Sequence, residues 1–275
     1  MDWKYSITLR QLIPLFIYRY LASVYKGLAL VRMRQYQDAL KNFEKAIVQD
    51  ENHTLAWAGR AQALSSLGRE VEANESLNEA ISTQPKDARG FLGRGAAYAA
   101  KGQYDSAIKD YNQAINLDAN LDEAYFNRGN AYDEKANYDQ AIKDYNQTIA
   151  LNPKNAIACV NCGITYGKQN KFYEAIKMYN KAIELNPKYA AAYFNRGLAY
   201  RKEKKLDKAL DDYNQAINLD PKFAQAYNER GFVQAQISNY KEARCDWEKT
   251  VELDPNGYSG EKARKNLKIL GEMGH

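Results

Sequence analysis

The sequence predicts an all-α protein, a solenoid of antiparallel helix pairs that ends in a capping helix. Two observations predict this fold: an internal repeat of 34 residues, and an apolar spacing of three and four residues inside each copy. The repeat is visible in YFNRGNAY at 125–132 and YFNRGLAY at 193–200, and in DYNQAINLD at 110–118 and again at 212–220. A repeat of this length indicates supersecondary units that bury their apolar faces against their neighbours.

Three columns of small or aromatic residues keep the 34-residue period. The first column is small, with Gly27, Ala61, Gly95, Gly129, Gly163, Gly197 and Gly231. The second is alanine, with Ala39, Ala73, Ala107, Ala141, Ala175, Ala209 and Ala243. The third is mostly aromatic, with Phe43, Leu77, Tyr111, Tyr145, Tyr179, Tyr213 and Trp247. Together they define seven repeats, 20–53, 54–87, 88–121, 122–155, 156–189, 190–223 and 224–257.

The first helix of each repeat is predicted from residues such as Tyr193, Gly197 and Tyr200. They are four and three residues apart and therefore share one helix face. A break follows at Lys101-Gly102 in one repeat and at the matching position in the others. We expect the small residue of this face to let a neighbouring helix approach closely.

The second helix repeats the same spacing with Ala209, Tyr213 and Ala216. A proline column then ends it, because proline cannot continue a helix and disfavours the helical conformation in the residue before it. This column contains Pro85, Pro153, Pro187, Pro221 and Pro255, with Glu51 and Ala119 in the two other repeats.

The N-terminal segment 1–19 has two interpretations. Residues 11–31 are rather apolar, but Pro14, Arg19 and Lys26 interrupt them. A bilayer-spanning helix requires about 20 mostly apolar residues with few charges. We interpret the segment as a cap or packing helix at the start of the solenoid, and the alternative is a membrane-facing or targeting segment.

The C-terminal segment 258–275 is predicted to be the capping helix. Ala263, Leu267 and Leu270 form an apolar stripe that can cover the last repeat. Terminal repeats of a solenoid need such a cover with a polar outer face.

The pattern of aromatic, small residue, tyrosine, alanine, aromatic and proline resembles the tetratricopeptide repeat. The resemblance covers residues 20–257 and is weakest in the first repeat, where Ser23 replaces the aromatic and Glu51 the proline. It implies a right-handed superhelix with a concave groove that binds an extended peptide. In this family the first-helix positions 2, 5, 6, 9, 12 and 13 tend to line that groove.

Asparagine occupies the sixth position of three consecutive repeats, as Asn127, Asn161 and Asn195. Some superhelical members of the family grip a peptide backbone with asparagines at this position, and an amide offers both donors and an acceptor. The resemblance therefore implies a peptide-binding track in the middle of the protein. Apolar and polar residues expected along it are Phe126, Asn130, Ile164, Phe194, Leu198 and, at its far end, Glu229. The alternative is a consensus asparagine that faces water or caps local structure, and Gly93 already interrupts the series on its N-terminal side.

Binding of a C-terminal carboxylate, as in co-chaperones of this family, is not expected. Asn130 and Asn161 match that pattern, but Phe126, Ala191 and Asn195 stand where the pattern has cations. A carboxylate would lack its charged partners.

Catalysis, metal binding and nucleic-acid binding find little support. Cys159 and Cys162 form a CxxC sequence inside a predicted helix, and the only histidines are His53 and His275, so we interpret the cysteines as small packing residues. The net charge of +5 comes from the terminal segments rather than from a basic face along the repeats. A row of arginines is expected to pair with the aspartate column or to stack on tyrosines: Arg60, Arg94, Arg128, Arg196 and Arg230.

The sequence thus predicts a non-catalytic scaffold for a protein or peptide partner, with no cofactor and no nucleic acid. Three cysteines without regular spacing favour a reducing compartment, and we expect a cytoplasmic protein. The alternative is a structural assembly factor attached to a membrane or complex through its apolar N-terminal segment. A third option is a homo-oligomer formed through an exposed terminal face.

Overall fold

In a computed structural model, the protein is described from residue 9 to residue 274, with side chains from residue 21 onward. These residues form fifteen α-helices and no strand, which confirms the all-α prediction. Of the predicted N-terminal segment, residues 1–8 lie outside this description, and residues 9–19 are described only as helical backbone.

The helices follow one another in chain order through short turns. They are α1 Leu9–Arg32, α2 Tyr36–Gln49, α3 Thr54–Ser66, α4 Glu70–Ser82, α5 Ala88–Ala100, α6 Tyr104–Leu117, α7 Asp122–Glu134, α8 Tyr138–Leu151, α9 Ala156–Lys168, α10 Phe172–Leu185, α11 Ala190–Lys202, α12 Leu206–Leu219, α13 Ala224–Gln236, α14 Tyr240–Leu253 and α15 Tyr258–Glu272.

The chain divides into two compact units, residues 1–137 and 138–275. In unit 1, α1 packs on α2, α3 on α4 and α5 on α6, while α1, α3, α5 and α7 also contact one another in sequence. In unit 2, α9 packs on α10, α11 on α12 and α13 on α14, and α15 covers α13 and α14.

The turn inside each helix pair has a left-handed residue at a 34-residue interval. Its φ lies between 56° and 75° at Arg34, Gly68, Gly102, Ala136, Asn170, Lys204 and Ser238. At Gly102 the chain closes a Schellman motif, in which the N–H of Gln103 donates to the carbonyl of Tyr98 at 2.9 Å. Only two of the seven positions carry glycine, so the other five adopt a conformation that costs an L-residue about 1 kcal/mol.

The small column exists because an aromatic ring fills the space where a side chain would be. A Cβ added to Gly197 would lie 2.7 Å from Cε1 of Tyr213. At Gly163 the corresponding distance to Cε1 of Tyr179 is 2.5 Å. The two helices of a repeat therefore approach to ring contact along this column, as the sequence predicts.

Arginines of the row tie first helices to second helices. Arg196 donates from Nε and Nη2 to both carboxylate oxygens of Asp212, at 2.8 and 2.6 Å, and from Nη1 to Oδ1 of Asn180 in the preceding repeat at 2.6 Å. The guanidinium also lies 5.6 Å from the ring centroid of Tyr193. The same carboxylate pairing recurs between Arg94 and Asp110 and between Arg230 and Asp246. These contacts confirm the predicted pairing for Arg94, Arg196 and Arg230, whereas Arg60 donates to Oγ of Ser76, which stands in the aspartate column.

Candidate functional site

Unit 1 contains a groove of about 750 Å³ lined by its first helices α1, α3, α5 and α7 and by α4. Its apolar lining is provided by Leu28, Val31, Leu55, Leu77, Leu92 and Phe126. Several other lining residues are alanines with short side chains: Ala58, Ala61, Ala96, Ala97 and Ala100. A space of this size falls within the range of ligand-binding clefts.

Two of the residues predicted from the sequence, Phe126 and Asn127, line this groove at its α7 end. Going back along the repeats, the sixth position is Gly93 and then Gly59, and both line the groove too. A Cβ on Gly93 would lie 3.0 Å from Cα of Leu55, so the missing side chain lets α5 approach α3. Within this one groove, the sixth position is therefore glycine in α3 and α5 and asparagine in α7.

A group of charged side chains lies along the groove. Glu123 accepts a hydrogen bond from Nη2 of Arg32, across 91 residues of sequence, and its second oxygen lies 3.6 Å from Nη1 of Arg89. The guanidinium of Arg89 is also 5.4 Å from the ring centroid of Tyr25. Two cations from different helices therefore converge on one carboxylate.

In unit 2 the predicted asparagines Asn161 and Asn195 are both half-buried, on α9 and α11. The Nδ2 of Asn195 donates to the carbonyl of Ala191 one turn earlier, at 2.8 Å. Part of the donor capacity of Asn195 is therefore used within its own helix.

The apolar residues expected beside these asparagines lie partly in the core. The ring of Phe194 is 4.8 Å from that of Phe223 and 6.0 Å from that of Tyr213, measured between centroids. Leu198 packs with Phe194 against the same buried cluster. Ile164 is half-buried on α9, and Asn130, in unit 1, is half-buried on α7.

Glu229 forms an ion pair with Arg201, whose Nη2 lies 3.2 Å from Oε2 of the carboxylate. The guanidinium of Arg201 is also 5.1 Å from the ring centroid of Phe232. Glu229 is thus neutralised by the preceding repeat.

Four charged residues of these surfaces were missed by sequence reasoning: Arg32, Arg89, Glu123 and Arg201. All four stand at positions 2, 12 or 13 of their first helices, which the resemblance associates with the groove. Their positions in the repeat could have identified them, but the residue type at these positions differs between repeats, so they belong to no column.

The CxxC cysteines, Cys159 and Cys162, are fully buried in α9, as expected for packing residues. Burial raises the pKa of the Cys162 thiol to about 12 and also raises that of Cys159, so both thiols stay protonated and unreactive near neutral pH. Cys162 stands in the arginine row, and Met178 replaces the aspartate of that repeat. In the described part of the chain, no group of three potential ligands could hold a metal ion.

Within the same part of the chain, no helix has both the length and the apolar character needed to cross a bilayer.

Family models match the chain in several places. The model described as TPR repeat matches residues 95–135, 166–203 and 197–238. Two models described as tetratricopeptide repeat match residues 122–155 and 26–88. A comparison with functionally curated proteins finds no match.

Solved structures share the fold. A crystal structure of MamA is 28% identical, with a TM-score of 0.55, and the match covers 58% of this chain and 94% of that one. A tetratricopeptide repeat protein from Parabacteroides merdae is 21% identical with a TM-score of 0.61, covering 91% and 98%. YrrB, described as a TPR protein with an unusual peptide-binding site, is 24% identical with a TM-score of 0.54, covering 70% and 99%. The fold they share is generally a non-catalytic one for protein–protein interaction.

Proposed function

The chain belongs to the tetratricopeptide-repeat family, and from that premise we propose that it is a non-catalytic scaffold that binds an extended segment of a partner protein. The observation that carries the proposal is the groove of about 750 Å³ in unit 1, with Phe126 and Asn127 among its lining residues. In unit 2, the proposal assigns the half-buried Asn161 and Asn195 to partner binding as well.

The lining suits a peptide because it combines apolar surface with amides. A partner side chain such as leucine that becomes buried on the apolar lining gains roughly 1.5–3 kcal/mol. Each amide that hydrogen-bonds to the peptide backbone adds about 1 kcal/mol net. Association and ordering consume much of this gain, so we expect reversible binding of moderate affinity.

The test is capture of a partner from a source-cell lysate, read by mass spectrometry. Wild-type protein is compared with two triple variants. In the test variant, three asparagines of the first helices are replaced by alanine, and in the control variant, three exposed asparagines at other positions are replaced by alanine. The test variant is Asn127→Ala/Asn161→Ala/Asn195→Ala, and the control is Asn116→Ala/Asn218→Ala/Asn256→Ala.

We expect wild type and control to capture the same partner and the test variant to lose it. Once the bound segment is known, its affinity for the test variant should fall about 100-fold, since three hydrogen bonds of about 1 kcal/mol each are removed. Circular dichroism establishes that all three proteins fold. Equal capture by all three proteins would show that these asparagines do not bind the partner.

The two units are tested separately with Asn127→Ala alone and with Asn161→Ala/Asn195→Ala. If residues of both units contact the partner, each variant should weaken binding, and the effects should add where the substituted residues share no contact. A loss confined to Asn127→Ala would restrict the binding site to the groove of unit 1.

A further inference from the structure

We infer that Glu123 occupies a binding position for a carboxylate of the partner, and that binding replaces this internal carboxylate with an aspartate or glutamate of the bound segment. The inference rests on the proposed function and adds the chemistry of the partner. It starts from an unusual arrangement, since Arg32 on α1 and Arg89 on α5 both contact the one carboxylate of Glu123 on α7.

The arrangement matches a site built for an acidic group. Arginine guanidiniums are suited to carboxylates because their donors form a fixed planar fork. Arg89 is further oriented by the ring of Tyr25 at 5.4 Å. Around this carboxylate the charge is +1, because two guanidiniums face a single carboxylate. The remaining charged residue among those that line the groove, Glu70, lies on α4 and accepts a hydrogen bond from Oγ of Ser65 at 3.1 Å.

The internal contact is weak enough to be replaced. The side chain of Arg32 is 76% exposed, that of Arg89 43% and that of Glu123 36%. Exposed ion pairs change an equilibrium constant by at most about fivefold and are screened by salt. An incoming carboxylate forms equivalent contacts, so the exchange is close to neutral, and the apolar lining supplies the additional binding energy.

The occupant is therefore a segment of a partner protein that carries acidic side chains between apolar ones. In an extended chain, alternate side chains point to opposite sides. Apolar residues of such a segment can enter the groove lined by Leu28, Leu55 and Leu92, while an acidic residue two positions along, on the same side of the chain, reaches Arg32 and Arg89.

The experiment uses three fluorescein-labelled nonapeptides as probes. Each has serine at the even positions, and at the odd positions leucine alternates with aspartate, asparagine or lysine. Fluorescence anisotropy gives their affinities for wild type, Glu123→Gln and Arg32→Ala/Arg89→Ala. Glu75→Gln, which makes the same charge change on an exposed residue of α4 outside the groove lining, is the matched control.

Wild type should bind the aspartate probe more tightly than the asparagine probe, and the lysine probe most weakly. Glu123→Gln removes the internal competitor and should raise affinity for the aspartate probe about fivefold, the effect expected of an exposed ion pair. The asparagine probe should show no such gain, and Glu75→Gln should leave all affinities unchanged.

Removal of both arginines should abolish the preference for the aspartate probe. Arg32→Lys/Arg89→Lys keeps the charges and should retain most of that preference, which separates lost recognition from a damaged fold. Thermal melting of each variant checks the fold, because the Arg32–Glu123 contact joins α1 to α7.

Equal affinity for the aspartate and asparagine probes in every variant would overturn this inference while the groove remained a peptide site. An aspartate preference that Glu123→Gln leaves unchanged would overturn the role of Glu123 as competitor. Failure of all probes to bind any variant would also overturn the inference, and the proposed function would then be judged by the lysate capture alone.

Discussion

The contact between the small column and the aromatic column predicts opposite effects for one substitution at two sites of unit 2. Gly197→Ala would place a Cβ 2.7 Å from Cε1 of Tyr213 and 2.9 Å from its Cδ1. Carbon atoms in ordinary contact are about 3.5–4.0 Å apart, so the ring must shift by roughly 1 Å. The ring of Tyr213 is fully buried and packs near that of Phe194, so such a shift disturbs its neighbours.

The expected magnitude is the balance of two terms. Overpacking of a filled core costs about 1–3 kcal/mol. Alanine is a better helix former than glycine by about 1 kcal/mol, which offsets part of that cost. Gly167→Ala in α9 is the matched control, because a Cβ there meets nothing within 4 Å and only the helix term applies.

The measurement is urea unfolding of both variants and wild type, followed by far-ultraviolet circular dichroism. We expect Gly167→Ala to raise the free energy of unfolding by about 1 kcal/mol. The free energy of unfolding of Gly197→Ala should be roughly 1–3 kcal/mol lower than that of Gly167→Ala. Combining Gly197→Ala with Tyr213→Leu should recover part of the lost free energy of unfolding, because leucine is smaller than tyrosine and leaves room for the added methyl group. If Gly197→Ala were as stabilising as Gly167→Ala, the argument that the ring requires glycine would be wrong.

Two further predictions concern the turns and the thiols. Lys204 has a φ of +59° and Gly102 a φ of +71°. Lys204→Gly should therefore raise the free energy of unfolding by about 0.5–1 kcal/mol, and Gly102→Ala should lower it by about 1 kcal/mol. Equal effects of the two changes on the midpoint of urea unfolding would contradict this reasoning. A colorimetric disulfide reagent should label only the exposed Cys245 in the folded protein and all three thiols after denaturation, because burial keeps Cys159 and Cys162 protonated and inaccessible; rapid labelling of more than one thiol under native conditions would show that α9 opens.

The fold could be predicted from sequence because its main contacts are periodic. Arg196 and Asp212 each belong to a column, and a constant separation of 16 residues places them opposite each other in one helix pair. The same holds for Gly197 and Tyr213, where a small residue and a ring alternate across the pair. One repeat therefore predicts the others, and local spacing suffices.

The turn conformation was harder to predict because its residues share no chemistry. Ala136, Lys204 and Ser238 adopt a positive φ as Gly102 does, although none of the three is a usual left-handed residue. The hydrogen bonds of the Schellman motif and the packing of the flanking helices impose the conformation. The side chain therefore gives no signal, and only the 34-residue interval reveals the position.

The candidate site was predicted only in part, because a groove depends on what the repeats do not share. The asparagine series points to Asn127, Asn161 and Asn195, and the first of these does line the groove of unit 1. Gly59 and Gly93, which interrupt that series, also line the groove, but their missing side chains leave room for the ring of Phe43 and for the backbone of α3. Glycine at the sixth position therefore marks close packing within the groove wall, which the asparagine series alone does not predict.

The charged residues of the groove also differ from repeat to repeat. Arg89 and Glu123 both occupy the second position of their repeats, and 34 residues separate them, yet one is a cation and the other an anion. Residues that maintain the stack must be alike from repeat to repeat, because each repeat packs on a similar neighbour. Residues that recognise a partner are free of that requirement. In this chain the charged residues outside the columns, above all Arg32, Arg89 and Glu123, are therefore the positions at which substitutions should change the choice of partner and leave the fold intact.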